Sequence, residues 1–171
     1  FNLYHAVNEL LDPFLKWMSY WRLGEILIPQ KSQRLVKVVY CTASYPGDPD
    51  KKWRHDQFIG AQKAHGVTVI SGHYVHEDMD CRSCGSAWKK PTEKEGDINV
   101  AIHLIKDAFD DAFDHAYLVT ADSDHAATAR MFRETFGQKT LTSVAPPGRN
   151  FSTHILNHAH ARIALTRDHI E

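Results

Sequence analysis

The chain lacks the features that mark several large classes of protein. Its 171 residues include 3 cysteines, too few for the disulfide framework of a small secreted protein. Its hydrophobic runs fall short of the roughly 20 residues that a membrane-spanning helix needs, and no signal peptide is recognisable. The formal net charge is −1, without the overall basic character of many nucleic-acid binders. We therefore expect a soluble cytoplasmic protein that makes no use of membranes.

What is present is the composition of an ordinary folded domain. Hydrophobic residues make up 43% and charged residues 24% of the chain, which excludes wholesale disorder. Internal repeats, low-complexity tracts and interdomain linkers are missing. At this length we expect a single domain over residues 1–171, with a sizeable core. Two short basic segments, 51–55 and 89–94, are more typical of solvated loops than of a binding surface.

Four short segments predict strands, and those at 36–43 and 116–121 are apolar enough to predict buried ones. They are residues 36–43, 67–72, 116–121 and 139–146. Helical spacing appears between and around them, in residues 3–22 with a break near Pro13, in 53–66, from Ile98 onward, and up to Phe136. A His-rich helix and a short strand complete the pattern. Strands that alternate with helices predict a three-layer α/β/α fold with a mainly parallel central sheet.

Two parts of this prediction concern the middle of the chain. Residues 76–97 have no hydrophobic periodicity and predict a long polar loop. The helix that begins at Ile98 is predicted to bury one apolar face. That face contains Ile98, Ala101, Ile102, Ile105, Ala108 and Phe109.

Two carboxylates follow the strand at 116–121. Asp122 and Asp124 are two positions apart, so in extended backbone both side chains point the same way. Ligands of open α/β sheets bind at the carboxyl ends of strands, and Mg²⁺ or Mn²⁺ prefers oxygen ligands. The alternative is helix capping, which explains one aspartate adequately. Asp97, which opens a helix, has the same two interpretations: a cap or helix-dipole charge, or a third metal ligand.

Residues 93–125, EKEGDINVAIHLIKDAFDDAFDHAYLVTADSDH, resemble the signature of NYN domains, in the LabA-like branch of the PIN-like nuclease superfamily. That family shows a Glu-Lys, an aspartate that opens a helix, and a strand that ends in Asp-Ser-Asp. Residues 1–5, FNLYH, resemble the end of its first motif, Asp-Gly-x-Asn-Leu-Tyr. Residues 16–29 and 38–74 resemble the elements that follow this motif. The resemblance therefore covers most of the chain.

The resemblance implies a PIN-like (Rossmannoid) fold and a divalent-metal-dependent ribonuclease, an endonuclease rather than an exonuclease. Asp97, Asp122 and Asp124 would be both the catalytic residues and the ligands of Mg²⁺ or Mn²⁺, and RNA would be the partner. The first-motif aspartate would lie ahead of Phe1, so we expect the complete protein to carry an N-terminal strand that precedes this sequence. PIN-like domains often pair, which implies a homodimer. The implied substrate contacts are Asn2, Ser123, Lys94, Arg54 and Gln57.

Two other functions remain open from the sequence. One is an RNA-binding or regulatory module that keeps the fold without turnover, which the neutral charge favours. The other is a nucleotide-sugar transferase, in which a strand-terminal Asp-x-Asp binds Mn²⁺ and a diphosphate. The second alternative leaves Asp97 and the FNLYH match unexplained.

The cysteines suggest a separate metal site. Cys81 and Cys84 form a Cys-x-x-Cys pair, and with His73 and His76 they would supply four ligands for a structural Zn²⁺. Histidines three apart on a strand point to opposite faces, which favours two reduced cysteines in a loop instead. Cys41 lies in a predicted strand and is typical of a small buried hydrophobic residue.

Overall fold

A computed structural model describes residues 2–29 and 31–171, except for the side chain of Asn2, and shows a mixed α/β fold. The helices are α1 (Asn2–Glu9), α2 (Tyr20–Leu27), α3 (Pro49–Ala64), α4 (Gly96–Phe109), α5 (Ala126–Thr135) and α6 (Thr153–Leu156). The strands are β1 (Val39–Thr42), β2 (Thr68–Ser71), β3 (His73–Asp80), β4 (Ala87–Lys94), β5 (His115–Val119), β6 (Thr140–Ala145) and β7 (Ala161–Ala164).

The strands form small sheets, and most of the pairing is parallel. β1 pairs with β2 in parallel, and β5, β6 and β7 form a parallel sheet in that order. β3 and β4 form an antiparallel hairpin. The expected α/β class with parallel sheets is confirmed. Each parallel pair is joined through a helix, as parallel crossovers require.

Local sequence signals explain where the long helix α3 begins and ends. The Asp48 side chain accepts a hydrogen bond from the Lys51 amide at 2.9 Å, and Pro49 occupies the first helical position. The helix ends before Gly66, whose φ of +88° lies in the left-handed region that favours glycine. The predicted stop at this glycine is confirmed.

The two faces of the β5–β7 sheet contact different apolar clusters. On one face, Leu118 and Leu141 pack with Phe132 of α5, and the last two are fully buried. On the other face, Val144 packs with Leu23 of α2. Side chains on opposite faces of these strands therefore pack into different apolar clusters, which explains why apolar residues occur on both faces of the sheet.

Residues 76–97 are largely a hairpin, so the prediction of an irregular loop was wrong. Strand β3 pairs with β4 along its full length, from His73 with Lys94 to Asp80 with Ala87. The hairpin buries little apolar surface, and opposite charges across the strands replace the alternation that would have revealed it. Lys94 and Glu77, for example, form an ion pair at 2.6 Å.

The predicted buried face of α4 was also wrong in part. Ile98, Ile102 and Phe109 are 63%, 53% and 64% exposed. Of the predicted face, Ala108 is buried and Ile105 packs against the core, where Leu104, which was not predicted, joins them. This helix has apolar residues on more than one side, so spacing alone does not choose the buried face. Within residues 2–29 and 31–171, no helix is both long and apolar enough to cross a membrane.

Candidate acidic site at the carboxyl ends of the strands

Asp122 lies three residues after the end of β5 and caps the turn that leads into α5. Its Oδ1 accepts a hydrogen bond from the Asp124 amide at 3.1 Å, and its own amide donates to Thr120 Oγ1 at 3.1 Å. Asp122 therefore caps the turn, as the capping interpretation predicted. Capping uses one carboxylate oxygen, so it does not exclude a ligand role for the other.

His125 connects this turn to Asp97 in the first turn of α4. Its Nε2 lies 3.4 Å from Asp97 Oδ1, and its side chain is only 4% exposed. Asp97 is 62% exposed at the same place. The contact brings the start of α4 beside the turn that carries Asp122, Ser123 and Asp124. The position of His125 in the sequence does not predict this contact with a distant helix.

Glu93 is a further carboxylate at this junction. A Cβ added to Gly96 would lie 2.7 Å from Glu93 Oε1, so the glycine leaves room for the carboxylate at the start of α4. Burial, with a contribution from Asp97, raises the pKa of Glu93. Burial, with Asp97 and Glu93 adding, also raises the pKa of Cys41 to about 11. The end of β1 is therefore electrostatically coupled to the acidic side chains.

A polar network holds α3 against the end of β1. Tyr40 donates to Thr42 Oγ1 at 3.0 Å, Thr42 Oγ1 lies 3.1 Å from His55 Nε2, and Ser44 Oγ lies 3.2 Å from His55 Nδ1. Ser44 in turn donates to Asp56 at 3.0 Å. Burial lowers the pKa of His55, so the ring is held neutral at neutral pH and relays hydrogen bonds between the two hydroxyls.

The residues implied to contact the substrate differ in their exposure and in their partners. Arg54 and Gln57 are exposed on α3, next to the network at the end of β1, and Ser123 is exposed in the turn after β5. Lys94 is paired with Glu77 on the hairpin and faces that carboxylate. The side chain of Asn2 lies outside the described residues.

The structure does not bring the four candidate zinc ligands together. His73 lies at the base of the hairpin, where its Nδ1 is 3.4 Å from Glu95. Cys81 and Cys84 lie in the turn at the other end. At about 3.3 Å per strand residue, Cys81 is roughly 25 Å from His73 and roughly 16 Å from His76.

The acidic site was tested against the needs of a hard divalent cation. In the described part of the chain, no group of three or more His, Cys, Asp or Glu side chains is placed to hold a metal ion. Asp97, Asp122 and Asp124 at the junction are nevertheless carboxylates, which suit Mg²⁺ and Mn²⁺. Mg²⁺ usually keeps several waters and binds through one or two carboxylates, so the chemistry of Asp97 and Asp122 is compatible with such a cation.

The cysteines differ in acidity, and this gives a first prediction. Hydrogen bonds from Ser86 and from the Cys81 thiol lower the pKa of Cys84 to about 7, whereas burial raises the pKa of Cys41 to about 11. Because the thiolate is the reactive form, alkylation of Cys84 should reach half its maximal rate near pH 7, and Cys41 should stay unmodified there. Peptide mass spectrometry after iodoacetamide treatment across pH 5–9 measures both, with Cys84→Ser as control. Equal labelling of Cys41 and Cys84 at pH 7 would contradict the assignment.

Comparison with known proteins gives a fold and one named relative. No model of a known protein family matches the chain. A curated protein, 6-hydroxy-3-succinoylpyridine 3-monooxygenase HspA of Pseudomonas putida, is 33% identical to this chain over an alignment 167 residues long. The alignment covers 88% of this chain and 51% of that protein. The chain thus spans about half the length of this curated relative.

The fold of this chain is similar to that of a solved structure. A protein of unknown function from Vibrio parahaemolyticus has a TM-score of 0.59 at 20% identity, over 88% of this chain and 80% of that one. A hypothetical protein from Neisseria gonorrhoeae with bound ppGpp has a TM-score of 0.25 at 7% identity, over 88% of this chain and 83% of that one, too low to support any argument. The chain therefore shares its α/β fold with the Vibrio protein.

Proposed function

We propose that this protein is a divalent-metal-dependent ribonuclease of the NYN type. The observation that carries the proposal is the 3.4 Å contact between His125 and Asp97. It brings a helix start and a strand end, each with carboxylates, to one junction at the carboxyl end of a parallel sheet, where α/β proteins bind their ligands. The NYN resemblance of residues 93–125 involves these same carboxylates.

The space between the two parallel sheets supports a PIN-like arrangement. Within the described residues, β1 pairs only with β2, and β5 only with β6. A cavity of about 860 Å³ runs between them, lined by residues 35–41 on one side and 113–119 on the other. Strands buried inside a parallel sheet have partners on both edges. We propose that the expected N-terminal strand occupies this space and joins the two sheets into the central sheet of a single three-layer domain.

This strand would also complete the site. Its carboxyl end would lie between the end of β1 and the end of β5, beside Cys41 and Asp122. The first-motif aspartate of NYN domains ends such a strand, so it would add a carboxylate to those of Asp97 and Asp122. The next residues of the chain, Leu3 and Tyr4 of α1, already line the cavity.

The chemistry follows from the placement of the side chains. Asp97 and Asp122 would hold the cation, which when bound lowers the pKa of a water and stabilises negative charge on the phosphate. Asp124, exposed in the same turn, would orient the attacking water and accept its proton. His125 keeps Asp97 turned toward this turn. Arg54 and Gln57 would contact the phosphates of the RNA. Such contacts position the RNA without recognising its base sequence.

The test is incubation of the protein with a mixed RNA pool in Mn²⁺, in Mg²⁺ and in excess chelator. We expect cleavage with either metal and none with chelator. Binding of RNA without cleavage in any metal would favour the regulatory module. Hydrolysis or transfer from a nucleotide sugar, with RNA intact, would favour the transferase.

A second candidate is monooxygenation of a pyridine ring, the reaction in the name of the Pseudomonas putida relative. The identity of 33% over 88% of this chain favours it, and a cavity of about 860 Å³ has the size of a small-molecule pocket. Monooxygenation consumes O₂ and two electrons from a reductant such as NADH. Hydroxylation of 6-hydroxy-3-succinoylpyridine with matching NADH consumption, and no cleavage of RNA, would replace the ribonuclease proposal.

The proposed strand gives a second prediction. The chain extended by the residues encoded immediately before Phe1 should protect the free edges of β1 and β5 against amide hydrogen exchange, because each edge gains a hydrogen-bonded neighbour. Hydrogen exchange with mass spectrometry compares it with residues 1–171 alone. An extension of equal length and composition but scrambled order is the control. Unchanged exchange at both β1 and β5 would contradict the insertion.

A further inference from the structure

The turn at the end of the β3–β4 hairpin presents two free thiols at one place. The Cys81 amide donates to the Ser86 carbonyl at 2.8 Å, and the Gly85 amide donates to the Cys81 carbonyl at 2.8 Å. The Cys84 sulfur lies 3.1 Å from Ser86 Oγ, and the Cys81 thiol, three residues earlier in the same turn, helps to lower the pKa of Cys84. The backbone therefore holds both sulfurs on one tight turn, as a chelating pair requires.

Glycine is needed for this geometry. Gly85 has a φ of +69°, in the left-handed region that favours glycine. A Cβ at this position would meet no atom within 4 Å, so the backbone conformation, and not a lack of space, requires glycine here. Both cysteines are unpaired thiols, and Cys84 is exposed to solvent. A pair of soft sulfur ligands on a rigid, accessible turn suits Zn²⁺ better than the hard cations proposed for the acidic site.

Two thiolates are half of a structural zinc site, which is tetrahedral. The histidines that could have completed it lie roughly 16 Å or more along β3. In the parts of the chain that the structure covers, no third His, Cys, Asp or Glu joins the pair as a ligand group. The other two ligands must therefore come from outside this hairpin.

We infer that the Cys81–Cys84 turn binds Zn²⁺ between two copies of this chain, each of which supplies both cysteines. A two-fold axis through the metal makes the contact self-complementary, with four sulfur ligands. The surface around the turn suits such a contact. Trp88 is 48% exposed and pairs across the hairpin with Met79, so an apolar patch continues from the turn.

The charges near the turn are also compatible with a contact between identical surfaces. The hairpin end carries both signs, and Lys89 Nζ lies 3.7 Å from Asp78 Oδ1. A second copy rotated by a half-turn can place unlike charges opposite one another, whereas a surface of one sign would repel its copy. This zinc contact is independent of the ribonuclease proposal, because none of its residues belongs to the acidic site.

The test is a titration of the reduced, metal-free protein with Zn²⁺, followed by native mass spectrometry and metal analysis. We expect one Zn²⁺ per two chains and a doubling of mass from 19.5 kDa. With Co²⁺ in place of Zn²⁺, the spectrum should show the thiolate charge-transfer bands of a four-sulfur site. Cys81→Ser and Cys84→Ser should each abolish zinc-dependent pairing, and Ser83→Ala in the same turn should leave it unchanged.

Several results would overturn the inference. One Zn²⁺ bound to a single chain would mean that ligands of the same chain complete the site. Absence of zinc binding by the reduced protein, or pairing that is independent of zinc and of both cysteines, would also count against it. Circular dichroism of the serine variants confirms that a lost metal site is not a lost fold.

Discussion

Replacing Asp122 with asparagine is expected to lower the rate of metal-dependent RNA cleavage by at least about 100-fold. The amide keeps an oxygen that can accept the Asp124 amide hydrogen bond, which Asp122 now accepts at 3.1 Å, and asparagine is as good a cap as aspartate. It loses the negative charge that a divalent cation requires. The substitution therefore separates the capping role of Asp122 from its proposed ligand role.

The measurement is a single-turnover cleavage rate at saturating Mn²⁺, with thermal unfolding of each variant as the test of folding. Asp168→Asn, an exposed aspartate near the end of the chain, is the matched control and should cleave at the wild-type rate. Asp97→Asn should resemble Asp122→Asn. Equal rates for wild type and a folded Asp122→Asn would remove this residue from the site.

Phe132→Ala should lower the free energy of unfolding by about 3–5 kcal/mol, the usual cost of emptying a large aromatic site in a core. Phe132 is fully buried and stacks against Phe113 with ring centroids 6.1 Å apart. The cluster around it joins α5 to α4 and β5, the elements that carry Asp97 and lead to Asp122. The cavity that Phe132→Ala creates should therefore loosen the packing that positions Asp97 and Asp122, as well as lower the stability of the fold.

Urea unfolding measures this change, with Met131→Ala as the neighbouring control. Met131 is 47% exposed on the same helix, so its truncation should change stability by no more than about 0.5 kcal/mol. A Phe132→Ala cost as small as that of Met131→Ala would mean that this cluster does not support the fold.

Much of the fold could be predicted from the sequence because its strands are buried on both sides. Residues 36–43 predict a strand from their β-branched and largely uncharged run, and β1 lies inside them. The strand predicted at 139–146 likewise contains β6. The hairpin could not be predicted in this way, because charged pairs such as Lys94 with Glu77 stabilise it. The buried face of α4 also depends on tertiary contacts, among them the ion pair of Asp107 with Lys37 at 2.7 Å.

The site shows the same limit. The sequence predicts three of the site's carboxylates, because they lie at a predicted strand end and a predicted helix start. They are Asp97, Asp122 and Asp124. His125 is invisible there, since its importance comes from a contact with a helix that starts 29 positions earlier. Nearness in sequence also misleads: His73 and His76 are near Cys81 in the sequence, but an extended strand carries them away from it.

The most direct test of the proposed function is the origin of the oxygen in the cleaved bond. Cleavage of an RNA by the protein in H₂¹⁸O with Mn²⁺, followed by mass spectrometry of the products, identifies the nucleophile and the end groups. Metal-assisted attack by water through Asp97 and Asp122 predicts one ¹⁸O in each new 5′-phosphate, 3′-hydroxyl ends opposite, and no products with chelator. Cyclic 2′,3′-phosphate ends that form equally well in chelator, or products of the same kind and amount from Asp97→Asn, would contradict the account.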